Sequence, residues 1–304
     1  MAFNPVHSFL ITTDIFSTTT AIYVALQYTT MATNKILVIL GMHRSGTSLI
    51  TRWLQACGLH IGDTLLGPQT GNDEGHFEDM DFIQLHQQLL VASRLPGTGL
   101  TDLPLPGLAP ALEQQVQNLI DKKNDLHTQW AWKDPRTCMF LCIYRKLLPG
   151  AYYIIIFRDY QSVVSSLLNR DNKGLQRYYN SKGPLYKFFL RLKRKYNRDW
   201  LFKTHATKYL KVWIAYNEAL LQHIEKIPQG NFIVVDYLAL LDDDKIFFNH
   251  LTNRGFTLAY YDFVNVYNRQ LLGQQVNIAA LVDDTSLLSK ARQLENRLRS
   301  AMTG

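Results

Sequence analysis

The sequence predicts an α/β fold: a doubly wound parallel sheet with a phosphate-binding loop (P-loop) and an insertion or lid over one face. Three observations predict it. Four short apolar runs, Lys35–Leu40, 130–132, Tyr152–Phe157 and 232–235, are rich in Ile, Val and aromatics, and each leads into polar residues that open a helical pattern. Strands alternating with helices imply βαβ units. A glycine loop, GMHRSGTS at 41–48, falls between the first run and a helix, and 304 residues, 47% of them hydrophobic, suffice to bury one large core.

Helical periodicity predicts helices over 48–57, 79–93, 109–126, 136–147, 160–170, 204–226 and 285–301. In the last of these Leu287, Leu288, Ala291, Leu294 and Leu298 share one face, which packs on the core. The stretch 95–110 is rich in Pro and Gly and reads as an extended loop. Residues 171–202 interrupt the βα rhythm with mixed basic and aromatic residues and read as an insertion over the active-site face. The domain boundaries expected are therefore a weakly ordered extension over 1–33 and one α/β domain over 34–304.

Charge is uneven. Residues 171–211 carry twelve Lys or Arg against two Asp, whereas the whole chain carries only +7. A basic segment of this kind points to a local anionic partner rather than to a protein that coats nucleic acid. Three cysteines, Cys57, Cys138 and Cys142, make no disulfide framework and suggest a reducing, cytoplasmic setting. The spacing of Cys138 and Cys142 places them on one helix face, and no His completes a zinc-ligand set. Residues 1–34 hold one charged side chain, Asp14, and six Thr between 18 and 33. They offer neither the basic region of a secretory signal nor about 20 apolar residues for a membrane span. A second reading starts translation at Met31.

In parallel sheets of this class ligands bind beyond the carboxyl ends of the strands. Gly41 and Gly46 have the Walker A spacing, but Thr47 stands where a nucleotide triphosphatase has Lys. Loop amides and a helix N-terminus favour an anion. The one cation inside the loop is Arg44, a planar fork of donors, with the hydroxyls of Ser45, Thr47 and Ser48 beside it. The third run ends in Arg158, and Ser162 and Ser166 share a face of the helix that follows, so Arg158 and Ser166 can converge on a second phosphate. Lys133 closes the second run, Asp134 and Pro135 suit a helix start, and Arg136 adds charge.

Together GMHRSGTSLI (41–50), NDEGHFED (72–79), WKDPR (132–136) and FRDYQSVVSSLLNR (157–170) resemble the sulfotransferase superfamily, in particular its bacterial branch related to tyrosylprotein sulfotransferases. The resemblance spans roughly 35–240 in order and spacing. It implies the donor 3′-phosphoadenosine 5′-phosphosulfate, with Arg44, Ser45, Gly46, Thr47 and Ser48 on the 5′-phosphosulfate and Arg158 with Ser166 on the 3′-phosphate. Sulfuryl transfer to an acceptor hydroxyl moves a singly charged group, which Arg44 and Lys133 can stabilise without a metal. The resemblance puts the general base among the acids of GNDEGHFEDMD: Glu78 is first choice, ahead of Glu74, Asp79 and His76. Carbohydrate, lipid-linked glycan, peptide and small-molecule acceptors all stay open.

Two rivals stand beside this reading. A P-loop kinase or NTPase gains from Asp236, at the end of a Walker B-like strand, and loses on Thr47. A non-catalytic binder would use residues 187–200 as a basic amphipathic helix on an anionic polymer or membrane surface, although no nucleic-acid-recognition motif is present.

Overall fold

The computed structural model describes residues 34–67, 75–181, 184–236, 238–268 and 274–302, without the side chains of 184–187 and 189–197. The expected extension over 1–33 lies outside the described residues.

Four strands, β1 (Lys35–Leu40), β2 (Gln129–Lys133), β3 (Tyr152–Phe157) and β4 (Phe232–Asp236), form one sheet in the order β2-β1-β3-β4. Every pairing is parallel: Ile39 aligns with Lys133 on one side of β1, and Leu40 with Ile155 on the other. Apolar residues run without a break along β1 and β3 because both faces of the sheet are covered. Val38, Trp132, Tyr153 and Ile155 join one core, while Leu37, Ile39, Ile154 and Ile156 join the other. A strand's side chains alternate between faces, so each run feeds both cores at once.

Helix α1 (Thr47–Ala56) follows β1 and buries Ile50, Trp53 and Leu54 on the second core. Helices α2 (Met80–Ala92), α3 (Pro110–Leu126) and α4 (Leu141–Leu147) cover the first. On that same face lies α5 (Tyr160–Asn180), which contributes Val163, Val164, Leu167 and Leu168, and α6 (Pro184–Ile224), which contributes Leu210, Trp213 and Leu220. Helix α7 (Asp244–Asn253) returns to the second core and α8 (Thr285–Ser300) to the first, with Leu288, Ala291, Leu294 and Leu298 inward as the periodicity requires. The loops after β1 and β3 therefore leave the sheet in opposite directions. That reversal opens a crevice between two neighbouring strand tips, the place where open α/β sheets bind ligands.

Four expectations need correction. The segment 171–202 is largely helical, so the helices expected over 160–170 and 204–226 are longer: α5 runs on to Asn180, and α6 starts at Pro184 rather than 204. Its Lys, Arg and Leu are good helix formers, and Pro184 suits a first helical position. Trp213 Nε1 donates to Arg158 O at 3.0 Å, and Asp171 takes His205 Nδ1 at 3.0 Å and the Tyr209 hydroxyl, so the two helices are joined at the sheet end of this hairpin. The helix expected over 136–147 is broken, a 3-10 turn over Pro135–Met139 preceding α4. Cys138 and Cys142 accordingly do not share a face, the first being buried and the second exposed. Helix α7 has no counterpart in the sequence reading. None of the described helices is long and apolar enough to cross a membrane.

Candidate active site

The loop after β1 is shaped by backbone constraints. A Cβ at Gly41 would stand 2.5 Å from Ile156 O and 2.7 Å from Thr47 Cγ2, so only glycine lets the β1 tip pass β3. Arg44, with φ 71°, and Gly46, with φ 93°, adopt left-handed conformations that curl the chain into α1. Arg44 pays for that geometry in strain, a cost that collects at ligand sites. Gly46 caps α1 without a side-chain hydrogen bond, and the first turn holds no acid, so the positive end of the helix dipole is left to the loop. Beneath the loop, Gly41 N donates to Cys138 Sγ at 3.3 Å. Burial pushes this thiol up to about 12, which keeps it protonated and unreactive.

Arg44, Ser166 and Arg158 are brought together. Arg44 Nε donates to Ser166 Oγ at 2.8 Å, and Arg158 Nη1 donates to Arg44 O at 3.3 Å. The tips of β1 and β3 and the first turns of α5 thus share one hydrogen-bonded group. Ser162, on the same helix, is turned instead to Gln275, whose Nε2 donates to its hydroxyl at 3.0 Å.

Lys133 enters from the tip of β2 on the other side of β1. Its side chain is 1% exposed. Nζ donates to Glu78 Oε1 at 2.7 Å, to Ser48 Oγ at 3.3 Å and to His76 O. Ser48 Oγ also reaches His76 O at 3.2 Å, so the first turn of α1 and the segment before α2 are tied together at this lysine. Glu78 is buried, and its second oxygen takes Arg136 Nη2 at 3.5 Å. The other sequence candidates for a base lie elsewhere or are engaged differently. Asp79 turns away, capping α2 through Asp81 N and pairing with Lys123 at 2.6 Å. His76 Nδ1 stands 4.0 Å from Glu78, and burial first, then its cationic neighbours, hold its imidazole below the usual value. Glu74 lies outside the described residues.

Several residues escaped the sequence reading. Asp134 caps the turn over Pro135–Met139 as expected, but it also takes Arg136 Nε at 2.8 Å and His86 Nδ1 at 2.8 Å, and His86 Nε2 meets the Tyr144 hydroxyl at 2.7 Å. Burial would raise this carboxyl, yet His86 and Arg136 hold it well below the usual range. Arg136 is thereby fixed by one acid and aimed at Glu78. The Asp-x-Arg spacing in WKDPR signals the first link, whereas nothing in the sequence marks His86. The second omission is His43, within the loop: its Nε2 is buried with no hydrogen-bond partner among the described residues. Burial, and then Arg136, drive this imidazole down to about 3, so it is neutral.

A glycine loop at a helix N-terminus, with Arg44, Lys133 and Arg158 at the tips of the surrounding strands, is an arrangement of the P-loop-like kind. The model of the Sulfotransferase family matches residues 37–254, and the chain belongs to that family. Among solved structures it is similar to the sulfotransferase domain from the curacin biosynthetic pathway (14% identity, TM-score 0.47, 89% of this chain and 99% of that one). It is also similar to the sulfotransferase domain of the Synechococcus PCC 7002 olefin synthase (17%, 0.45, 88% and 94%) and to the sulfotransferase STF9 from Mycobacterium avium (12%, 0.49, 90% and 81%). No curated protein matches the sequence significantly.

Proposed function

We propose that the chain transfers a sulfuryl group from 3′-phosphoadenosine 5′-phosphosulfate to an acceptor hydroxyl by in-line displacement. The observation that carries this reading is the convergence of Arg44, Lys133 and Arg158 on the tips of three adjacent strands around one glycine loop. The donor's contribution is a reactive sulfuryl group on a good leaving phosphate. Three cations, loop amides and the hydroxyls of Ser45, Thr47 and Ser48 suit that polyanion in number and kind. Arg44, Ser45, Gly46, Thr47 and Ser48 would hold the 5′ end, and Arg158 with Ser166 the 3′-phosphate. Because Arg44 already bonds Ser166, the two ends of the crevice are one connected group, and nucleotide entry exchanges that bond for contacts with the donor.

Arg44 and Lys133 act on charge that grows at the leaving and transferred oxygens, Lys133 from a buried position and Arg44 from a partly buried one. The transferred group bears a single charge, so this reading has no metal step. Glu78 is the proposed base. In the free chain both its oxygens are held by cations; when Lys133 turns to an anion at Ser48, Oε1 is released to accept the acceptor's proton. Carbohydrate, lipid-linked glycan, peptide and small-molecule alcohols remain the acceptor classes. The basic near half of α6, with Phe188 and Trp200 exposed, would meet an anionic acceptor or surface. A cytoplasmic setting for the three unpaired cysteines belongs to the same reading.

Kinase chemistry fits less well. Asp236 sits on β4 with β3 between it and β1, accepts from Leu238 N at 3.1 Å and stands 3.9 Å from Arg299. Calorimetry with adenosine 3′,5′-bisphosphate and with ATP–Mg²⁺ separates the two. Preference for the bisphosphate, lost in Arg158→Ala, is the expected result; preference for ATP–Mg²⁺ overturns the reading.

A further inference from the structure

The first half of α6 carries a two-sided pattern. At about 100° per residue, Leu185, Phe188, Phe189, Leu192, Tyr196 and Trp200 fall within one sector of about 120° around the helix. Lys187, Arg191, Arg194, Lys195 and Arg198 fall together in a second sector of about 100°. Over 185–200 six Lys or Arg stand against a single acid, Asp199, which lies in the apolar sector. The two ends of that sector face water: Phe188 is 62% exposed and Trp200 58%. Arg198 and Asp199 are exposed as well, and among the described residues of α6 core packing begins only at Leu201 and Phe202. A helix with large apolar residues on an exposed side and cations beside them is unusual in a chain that packs its other helices inward.

Helix α6 passes the tip of β3 at Trp213, whose indole bonds Arg158 O, and it ends at Ile224, ahead of β4. Its first half therefore lies beyond the strand tips, at the end of the sheet where the crevice opens. We infer that residues 185–200 dock the protein on an anionic lipid bilayer. The helix lies in the interface, with the aromatic sector at the boundary of headgroups and acyl chains and the Lys and Arg on lipid phosphates.

Both halves of the pattern call for that partner. A soluble polyanion would satisfy the cations and leave Phe188 and Trp200 in water. A groove on another protein would cover the aromatics and has no general use for six cations. A bilayer with acidic headgroups meets both: Trp and Tyr settle where one end of the ring is apolar and the other wet, and each Lys or Arg gains from the negative surface potential. The same cations forbid a crossing of the hydrocarbon core, and none of the described helices is long and apolar enough for one. Outside 171–211 the chain is net negative, so attraction is confined to this hairpin and turns the crevice end of the sheet toward the membrane. Taken with sulfuryl transfer, and resting on that reading, this placement selects the lipid-linked acceptors, which a bilayer presents to the crevice.

The test mixes the full-length protein with vesicles of phosphatidylcholine, with and without about one-third phosphatidylglycerol. Trp53, Trp130, Trp132 and Trp213 are buried, so Trp200 is the reporter. Its emission should move to shorter wavelength on the anionic vesicles and be quenched by lipids brominated in the acyl chain. Sedimentation should show binding to anionic vesicles about tenfold or more tighter than to neutral ones, and weaker at high salt. Phe188→Ser with Trp200→Ser should lower the partition about tenfold or more, and so should Lys193→Gln, Arg194→Gln and Lys195→Gln together, which should also narrow the preference for acidic lipid. Both variants should bind adenosine 3′,5′-bisphosphate like the parent, so a failure here is separate from a failure of the donor reading. Should a variant not fold, quenching of Trp200 in the unaltered protein decides. No sedimentation with anionic vesicles at millimolar lipid, or no quenching, overturns the docking site. An aromatic variant that partitions like the parent overturns it too, and points to a polyanion held by charge alone.

Discussion

Lys123 and Lys133 are the same residue type at the same burial, each with a side chain 1% exposed, yet they serve opposite environments. Lys123 is met by three carboxylates, at 2.6, 2.6 and 3.0 Å. Burial alone would lower its pKa, but those acids raise it beyond an ordinary lysine. Lys133 is met by one carboxylate, which it shares with Arg136, and otherwise by a hydroxyl and a carbonyl oxygen. Glu78 and Asp79, neighbours in the chain, are divided between them. The difference is informative because a buried ion is tolerated only when it is paired. A buried cation with fewer acids than its surroundings call for is prepared to meet a mobile anion, whereas one with a surplus of acids is a structural link that leaves negative charge over.

The largest effect expected from this contrast is on stability. Lys123→Met leaves Asp79, 1% exposed, without its cation, which should cost about 3–5 kcal/mol in denaturant unfolding. Turnover per folded molecule should stay within about twofold of the parent. A loss below about 1 kcal/mol would mean that the carboxylates are not held by this lysine. Next in size, Lys133→Ala should lower kcat by about 10²–10³-fold, the scale for removing one donor to a developing oxyanion. Its folding cost should be smaller than that of Lys123→Met, because Arg136 remains on Glu78. Arg158→Ala should act more weakly, raising donor KM by about tenfold with kcat little changed. Steady-state kinetics on the two variants sharpens the contrast between a charge that acts in the transition state and one that only binds.

The two lysines were not equally legible. Lys133 stands at the end of a strand, and strand ends in a parallel sheet are where ligands bind, so its place followed from the apolar runs. β1 and β3 were readable for the same reason: residues buried on both faces leave an unbroken apolar signature. Gly41 and Gly46 were readable because the loop geometry demands them. Lys123, by contrast, is met by acids from positions 63, 79 and 81; no local spacing announces partners that far apart. The full lengths of α5 and α6 were not legible because a run of Lys and Arg has the same look whether or not it is helical. Helix α7 did have a signal: Asp243 accepts from Ile246 N at 3.1 Å as its cap, and an acid preceding a mixed apolar run is a helix start.

The smallest effects, and the cleanest separation, lie in pH. On the Lys123 side burial pushes the Asp63 carboxyl up, but hydrogen bonds from Lys123 and His127 prevail and hold it down to about 2 against an ordinary 3.8. The unfolded chain takes up this proton near 3.8 and the folded chain only near 2, so the stabilisation is complete above about pH 4 and is lost as pH falls from there toward 2. On the Lys133 side His43 falls from 6.5 to about 3, through burial and then Arg136. The unfolded imidazole protonates below 6.5 while the folded one stays neutral, so this contribution is complete above about pH 6.5 and is lost progressively as pH falls toward 3. The stability difference between parent and His43→Gln should therefore slope between pH 6.5 and 3, whereas that between parent and Asp63→Asn should slope below pH 4, any slope at higher pH coming from His60, whose imidazole the Asp63 carboxylate raises. A His43→Gln difference that stays flat between pH 6.5 and 3 would mean that this imidazole is not held neutral in the folded chain, and the electrostatic contrast between the Lys133 and Lys123 sides would lose its meaning.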